Sequence, residues 1–196
     1  MPTQPPLRPH LGTALRALGA LLTASLCSAD AGAVFNDATP ATAVGAITMR
    51  VGSTTAVDTV TFATISGANI SPSPTAVGAG GDVTVEALAE FNWLGTRTVT
   101  VTANSSAGLA CTGGGCGATV IPFSEICWVS TNKVLGGGDI QDGCFTGIAV
   151  QPLAAFSTVG NTNRLMRNFL RFSYQNSRVY PAGNYRGTVT YTATLP

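Results

Sequence analysis

Tyr185-Arg186-Gly187-Thr188-Val189-Thr190-Tyr191-Thr192-Ala193-Thr194-Leu195 alternates between two kinds of side chain. Tyr185, Gly187, Val189, Tyr191, Ala193 and Leu195 fall on one face, while Arg186, Thr188, Thr190, Thr192 and Thr194 fall on the other. A period of two is the geometry of a strand with one buried and one wet face. The segment before it, Tyr180-Pro181-Ala182-Gly183-Asn184, is rich in turn formers. The pattern predicts one continuous closing strand that completes an antiparallel sheet.

The same period recurs upstream. Ile47, Met49 and Val51 alternate with Thr48 and Arg50. Val60 and Phe62 begin a further strand towards Ile65, and Ser71-Pro72-Ser73-Pro74 interrupts pairing, because proline cannot donate to a ladder. Gly78-Ala79-Gly80-Gly81-Asp82 reads as a loop. Val83, Val85, Ala87, Ala89, Phe91 and Trp93 then form a long apolar face. Val99, Val101 and Ala103 follow beyond Leu94-Gly95-Thr96, so the two runs are expected to pair as a hairpin. Asn104 to Gly117 reads as a glycine-rich loop. Val120, Ile121, Phe123, Ile126 and Trp128 make an apolar cluster whose phase shifts between Pro122 and Glu125, predicting a bulge or bend. Gly136 to Gly143 is a loop tip, and Phe145 to Val150 a short strand that Leu153 to Phe156 either continues or leaves. Arg164 to Asn176 fits two periods, and strand is chosen for Phe169 to Tyr174 because Phe and Tyr favour sheets. Short strands between Gly, Pro and Ser loops, with no helical spacers, predict an all-β antiparallel sandwich with Greek-key connections.

The N-terminus carries an export signature. Arg8 and Arg16 precede the apolar run Ala17 to Leu26, and Ala29-Asp30-Ala31 has a small-x-small pattern. Residues 1–31 are therefore expected to be a cleaved signal peptide. Residues 32–45 would be a flexible arm or edge strand, and 46–196 the sandwich. No later apolar run is long enough to span a bilayer. The chain is expected in the periplasm, at the cell surface or outside the cell.

Cleavage removes Cys27 and the only histidine, His10. Cys111, Cys116, Cys127 and Cys144 remain, an even number in an exported chain, which implies disulfides. Of three connectivities, Cys111–Cys116 with Cys127–Cys144 closes the smaller loops. A four-cysteine zinc site is the competing reading, although the spacings are not paired C-x-x-C units.

The mature chain has few means of catalysis. A Ser or Cys triad needs a base, and no histidine is left. Glu86, Glu90, Glu125, Asp139 and Asp142 are the carboxylates from which a hydrolytic pair would be drawn. Asp139-Ile140-Gln141-Asp142-Gly143 offers oxygen ligands for calcium, but without EF-hand spacing it reads better as a turn. Arg164, Arg167, Arg171, Arg178 and Arg186 would form a basic stripe if they shared a face. Trp93 and Trp128 would either stack on sugars or fill the core, and their phase favours the core. Acidic and basic residues balance, which argues against nucleic acid and anionic membranes as partners. No cofactor is expected.

Ala182-Gly183-Asn184-Tyr185-Arg186-Gly187-Thr188-Val189-Thr190-Tyr191 resembles the closing strand of bacterial chaperone–usher pilins and spore-coat-U-like secreted proteins. The resemblance implies an incomplete immunoglobulin-like sandwich, a periplasmic chaperone, and assembly by donation of an N-terminal strand to a neighbouring copy. The leading expectation is therefore a non-enzymatic structural or surface subunit, pilus-like in assembly. A secreted adhesion or ligand-binding domain, using loops near Trp128 or the arginines, is the second reading. A carboxylate-dependent hydrolase is the third.

Overall fold

Arg164–Tyr174 forms the longest strand and the centre of the larger sheet. The computed structural model describes residues 36–38, 45–52, 60–62, 72, 76–91 and 95–195. All of these belong to the compact unit Ala31–Pro196. The expected signal peptide (1–31), residues 63–65 of the Val60 to Ile65 strand, Ser71, Ser73, Pro74 and Trp93 lie outside the described residues.

Among the described residues thirteen strands follow in chain order. They are β1 (Asn36–Ala38), β2 (Gly45–Val51), β3 (Val77–Gly78), β4 (Val83–Phe91), β5 (Thr96–Asn104), β6 (Leu109–Gly113) and β7 (Val120–Ile121). A 3-10 turn at Phe123–Glu125 leads to β8 (Ile126–Thr131), β9 (Gly143–Cys144), β10 (Gln151–Val159), β11 (Arg164–Tyr174), β12 (Asn184–Arg186) and β13 (Thr190–Thr194). The first sheet runs β1-β2-β4-β11-β8-β9, with β3 also paired to β11. The second runs β10-β5-β13, and a small third sheet runs β12-β6-β7. Every pairing is antiparallel.

The inward faces of the first two sheets share one core, so the fold is an all-β antiparallel sandwich. Val83, Val85, Ala87 and Ala89 of β4 and Met166, Leu170, Phe172 and Tyr174 of β11 come from one side. Val99, Val101 and Ala103 of β5, Phe156 of β10 and Ala193 of β13 come from the other. At one end Phe145 packs on Trp128 at 4.8 Å between ring centres and meets Phe123 edge-on at 5.7 Å.

Several expectations are corrected. The Val83 and Val99 runs do not form a hairpin: β4 pairs with β2 and β11, and β5 with β10 and β13. Alternation reports that a strand has one buried face, not which neighbour it pairs with. Here the two faces meet through the core from opposite sheets. Arg164 to Leu170 is strand, because β4 pairs with this half and β8 continues on the other side. Gly78 and Ala79 are not simply loop, since β3 pairs with β11 and Ala79 bridges to Phe62. The loop expected at Asn104 to Gly117 contains strand β6, and Val120, placed in the apolar cluster, is exposed. Phe145 to Val150 is not a strand. Gly147 adopts a left-handed φ of 72°, and Gln151 folds back so that its Oε1 accepts the Thr146 N–H. Asn36–Ala38 is an edge strand on β2.

The closing segment itself is divided. Tyr185 belongs to β12, in the third sheet, and Tyr191 and Ala193 to β13, in the second. The chain crosses between sheets at Gly187, where a Cβ would lie 2.8 Å from the Phe123 ring and closer still to the Gly108 carbonyl. Only a glycine allows that approach. The two faces otherwise follow the sequence. Ala193 is buried, Tyr185, Val189, Tyr191 and Leu195 are half-buried, and Arg186, Thr188, Thr190, Thr192 and Thr194 are exposed.

Candidate functional site

Both disulfides join the pairs expected from the sequence, Cys111–Cys116 and Cys127–Cys144. Cys127 and Cys144 are register partners across β8 and β9, so the bridge fixes that edge of the first sheet. Cys111–Cys116 closes the glycine-rich turn after β6, and the Cys116 side chain packs against Gly183 just before β12. With all four sulfurs in bridges, the zinc reading loses its thiolates. Among the described residues there is no cluster of three or more His, Cys, Asp or Glu able to hold a metal.

The five carboxylates are engaged in different ways. Glu86 Oε2 accepts Arg167 Nε at 2.7 Å on the outer face of the first sheet, and Glu90 is exposed near the end of β4. Glu125 is buried and accepts the Ser177 N–H at 3.3 Å and the Ser177 hydroxyl at 2.5 Å. This carboxylate adds to the effect of burial on the neighbouring Tyr174 phenol, which is pushed up to about 12. Asp142 Oδ1 accepts the Ser130 N–H at 2.9 Å and Lys133 Nζ at 2.7 Å, and these donors hold its carboxyl below the usual range. Asp139 is buried and accepts the Leu135 N–H and the Asn168 side-chain amide. The Asp139 to Gly143 loop thus uses its carboxylates to hold the backbone of Ser130 and Leu135.

The arginines do not form one free stripe. Arg167 pairs with Glu86, and Arg171 grips both Asp82 oxygens at 2.8 and 3.3 Å. Arg164, Arg178 and Arg186 are exposed and lie on β11, the segment after it, and β12. Trp128 is core, with its indole N–H donating to the Gln141 carbonyl at 2.8 Å. The sequence reading missed Asn168, although a polar residue in phase with Met166, Leu170 and Phe172 was a usable signal.

The sheet edges differ in a way that bears on function. β1 has three residues and β9 has two, the latter held by a disulfide. β10 carries Pro152 and a register shift between Pro152 and Ala154. Short strands, proline and bulges all blunt an edge. β13 has none of these. Its five residues, Thr190-Tyr191-Thr192-Ala193-Thr194, are uncharged and free of proline. They pair with Asn104 to Thr100 of β5 without a register shift. Among the described residues nothing pairs with its other side. Inward, Ala193 is buried and Tyr191 half-buried, and burial raises the Tyr191 phenol well above its ordinary value.

No family model, curated protein or solved structure matches the chain.

Proposed function

We propose that this chain is an exported, non-enzymatic structural subunit that assembles with copies of itself by strand addition at β13. The observation that carries the reading is the contrast among edges: β13 is straight, uncharged and unpaired on one side among the described residues, while the other edges are short, stapled or bulged. An open edge of this kind is a template for another strand, with main-chain hydrogen bonds supplying affinity and alternate side chains supplying register. The occupant is an extended N-terminal segment of a neighbouring copy, and a periplasmic chaperone would cover the same edge before assembly. Two disulfides support an oxidising, extracytoplasmic setting, because such bonds persist there. The resemblance of the closing segment to pilins and spore-coat-U-like proteins points the same way.

Light scattering of the mature chain, with and without mild denaturant, tests the proposal. A ladder of denaturant-resistant oligomers is expected. Thr192→Pro and Thr192→Lys should collapse the ladder to monomer while a thermal melt still shows a folded protein. A folded wild-type chain that stays monomeric at every concentration would overturn the reading.

A further inference from the structure

The outward face of the second sheet carries a regular field of threonines. Thr98, Thr100 and Thr102 of β5 lie beside Thr190, Thr192 and Thr194 of β13, with Thr102 opposite Thr192 and Thr100 opposite Thr194. Neighbouring strands lie about 4.8 Å apart, and alternate residues on one strand are roughly 6.8 Å apart. These side chains therefore form a two-dimensional grid. Thr98, Thr190, Thr192 and Thr194 are exposed, and Thr100 and Thr102 half-buried. β-branching leaves each threonine few χ1 choices. Hydrogen bonds restrict them further: Thr98 Oγ1 with Ser157 Oγ at 3.1 Å, Thr102 Oγ1 to the Thr192 carbonyl at 3.5 Å, and Thr194 Oγ1 to the Thr100 carbonyl at 3.5 Å.

The chemistry of the face selects its occupant. Its outward positions on β5, β13 and the neighbouring part of β10 are Thr, Ser, Ala, Val, Asn and Pro152, the last opposite Thr102, with neither charge nor aromatic ring. A polyanion would need cations there. A sugar would need an aromatic platform. The grid covers only about 200 Å², by strand spacing and rise, well short of the roughly 800 Å² per partner of a stable protein interface. What remains is a surface that is itself periodic, uncharged and rich in hydrogen bonds. Methyl groups order the water next to them, and fixed hydroxyls anchor it.

We propose that this threonine grid is an adsorption site for ordered water, the surface of an ice crystal. The site is a face of the sheet and not its edge, so it does not depend on the assembly proposed above.

The test is ice affinity of the folded mature chain: partition into a slowly grown ice body, crystal shaping and inhibition of recrystallisation. Enrichment in ice and shaped crystals are expected. Thr100→Lys with Thr102→Lys, on β5 and away from the β13 edge, should abolish both, and Thr102→Ser, which keeps the hydroxyl and removes the methyl, should weaken both. Thr131→Lys, on the other sheet, should change neither. Thermal melts establish that each variant is folded, and the serine variant serves if the lysine pair is not. Exclusion of the folded wild-type chain from ice, or partition unaffected by the serine and lysine variants, would overturn the proposal. So would retention on insoluble polysaccharide, lost in the same variants, without ice partition.

Discussion

Asn168 donates its side-chain amide to Asp139 Oδ1 at 3.2 Å, and both residues are almost wholly buried. The same amide reaches the carbonyls of Thr131 and Asn132, while Asn168 Oδ1 accepts the Ile140 N–H at 3.1 Å. Asp139 in turn holds the Leu135 N–H. One residue of the central strand thereby fastens both limbs of the β8–β9 loop to the core. A buried network is stabilising only while every member is satisfied.

Asn168→Ala is therefore expected to cost about 2–4 kcal/mol, since it orphans a buried carboxylate oxygen and the Ile140 N–H together. Asn168→Leu should not rescue the loss, although it restores volume. Urea denaturation measures both. A cost below about 1 kcal/mol for the alanine variant would mean that Asp139 finds another donor.

The two disulfides should differ in value. Their separations in sequence are 5 for Cys111–Cys116 and 17 for Cys127–Cys144. Loop-closure entropy assigns about 2 kcal/mol to the shorter and about 3 kcal/mol to the longer. Paired serine substitutions at Cys127 and Cys144 should thus lower the urea midpoint more than those at Cys111 and Cys116. The reverse order would show that the clamp on the Gly183 turn outweighs loop length.

Alternation along β4, β5 and the second half of β11, from Phe169 to Tyr174, made the buried faces legible, because burial on one side forces a period of two. Partners were not legible, since the same apolar face serves a hairpin or an opposed sheet. The Cys127–Cys144 pairing was readable from proximity in sequence, and the structure makes these residues direct cross-strand partners. The break in the closing strand was hidden because its two parts keep the same alternation through Gly187. The state of its edge was not readable either, as it depends on where β10 and β5 lie.

Gly187→Ala tests the crossing point. The added methyl would meet the Gly108 carbonyl and the Phe123 ring, so overpacking of about 1–3 kcal/mol is expected. Gly113→Ala is the comparison, because a Cβ there meets nothing within 4 Å. It should change stability by less than about 0.5 kcal/mol. Equal melting temperatures for the two variants would contradict the close approach.

Alkaline titration should single out the tyrosines around the closing segment. Burial, and secondarily the Glu125 carboxylate, Tyr180 and Tyr185, pushes the Tyr174 phenol from 10.0 up to about 12. Burial alone carries Tyr191 higher still, and Tyr180 is raised by burial and then by Glu125. A phenol held neutral by the fold costs stability once the unfolded chain can ionise, because only the unfolded state then sheds the proton. The stability these groups contribute is fully present below pH 10.0 and falls as pH rises through about 12. The phenolate absorbance of Tyr174 and Tyr191 should therefore complete only as the protein unfolds. Tyr191→Phe should leave the neutral-pH fold intact and remove part of the late absorbance step. Tyr174 and Tyr191 ionising well before unfolding would place both in water.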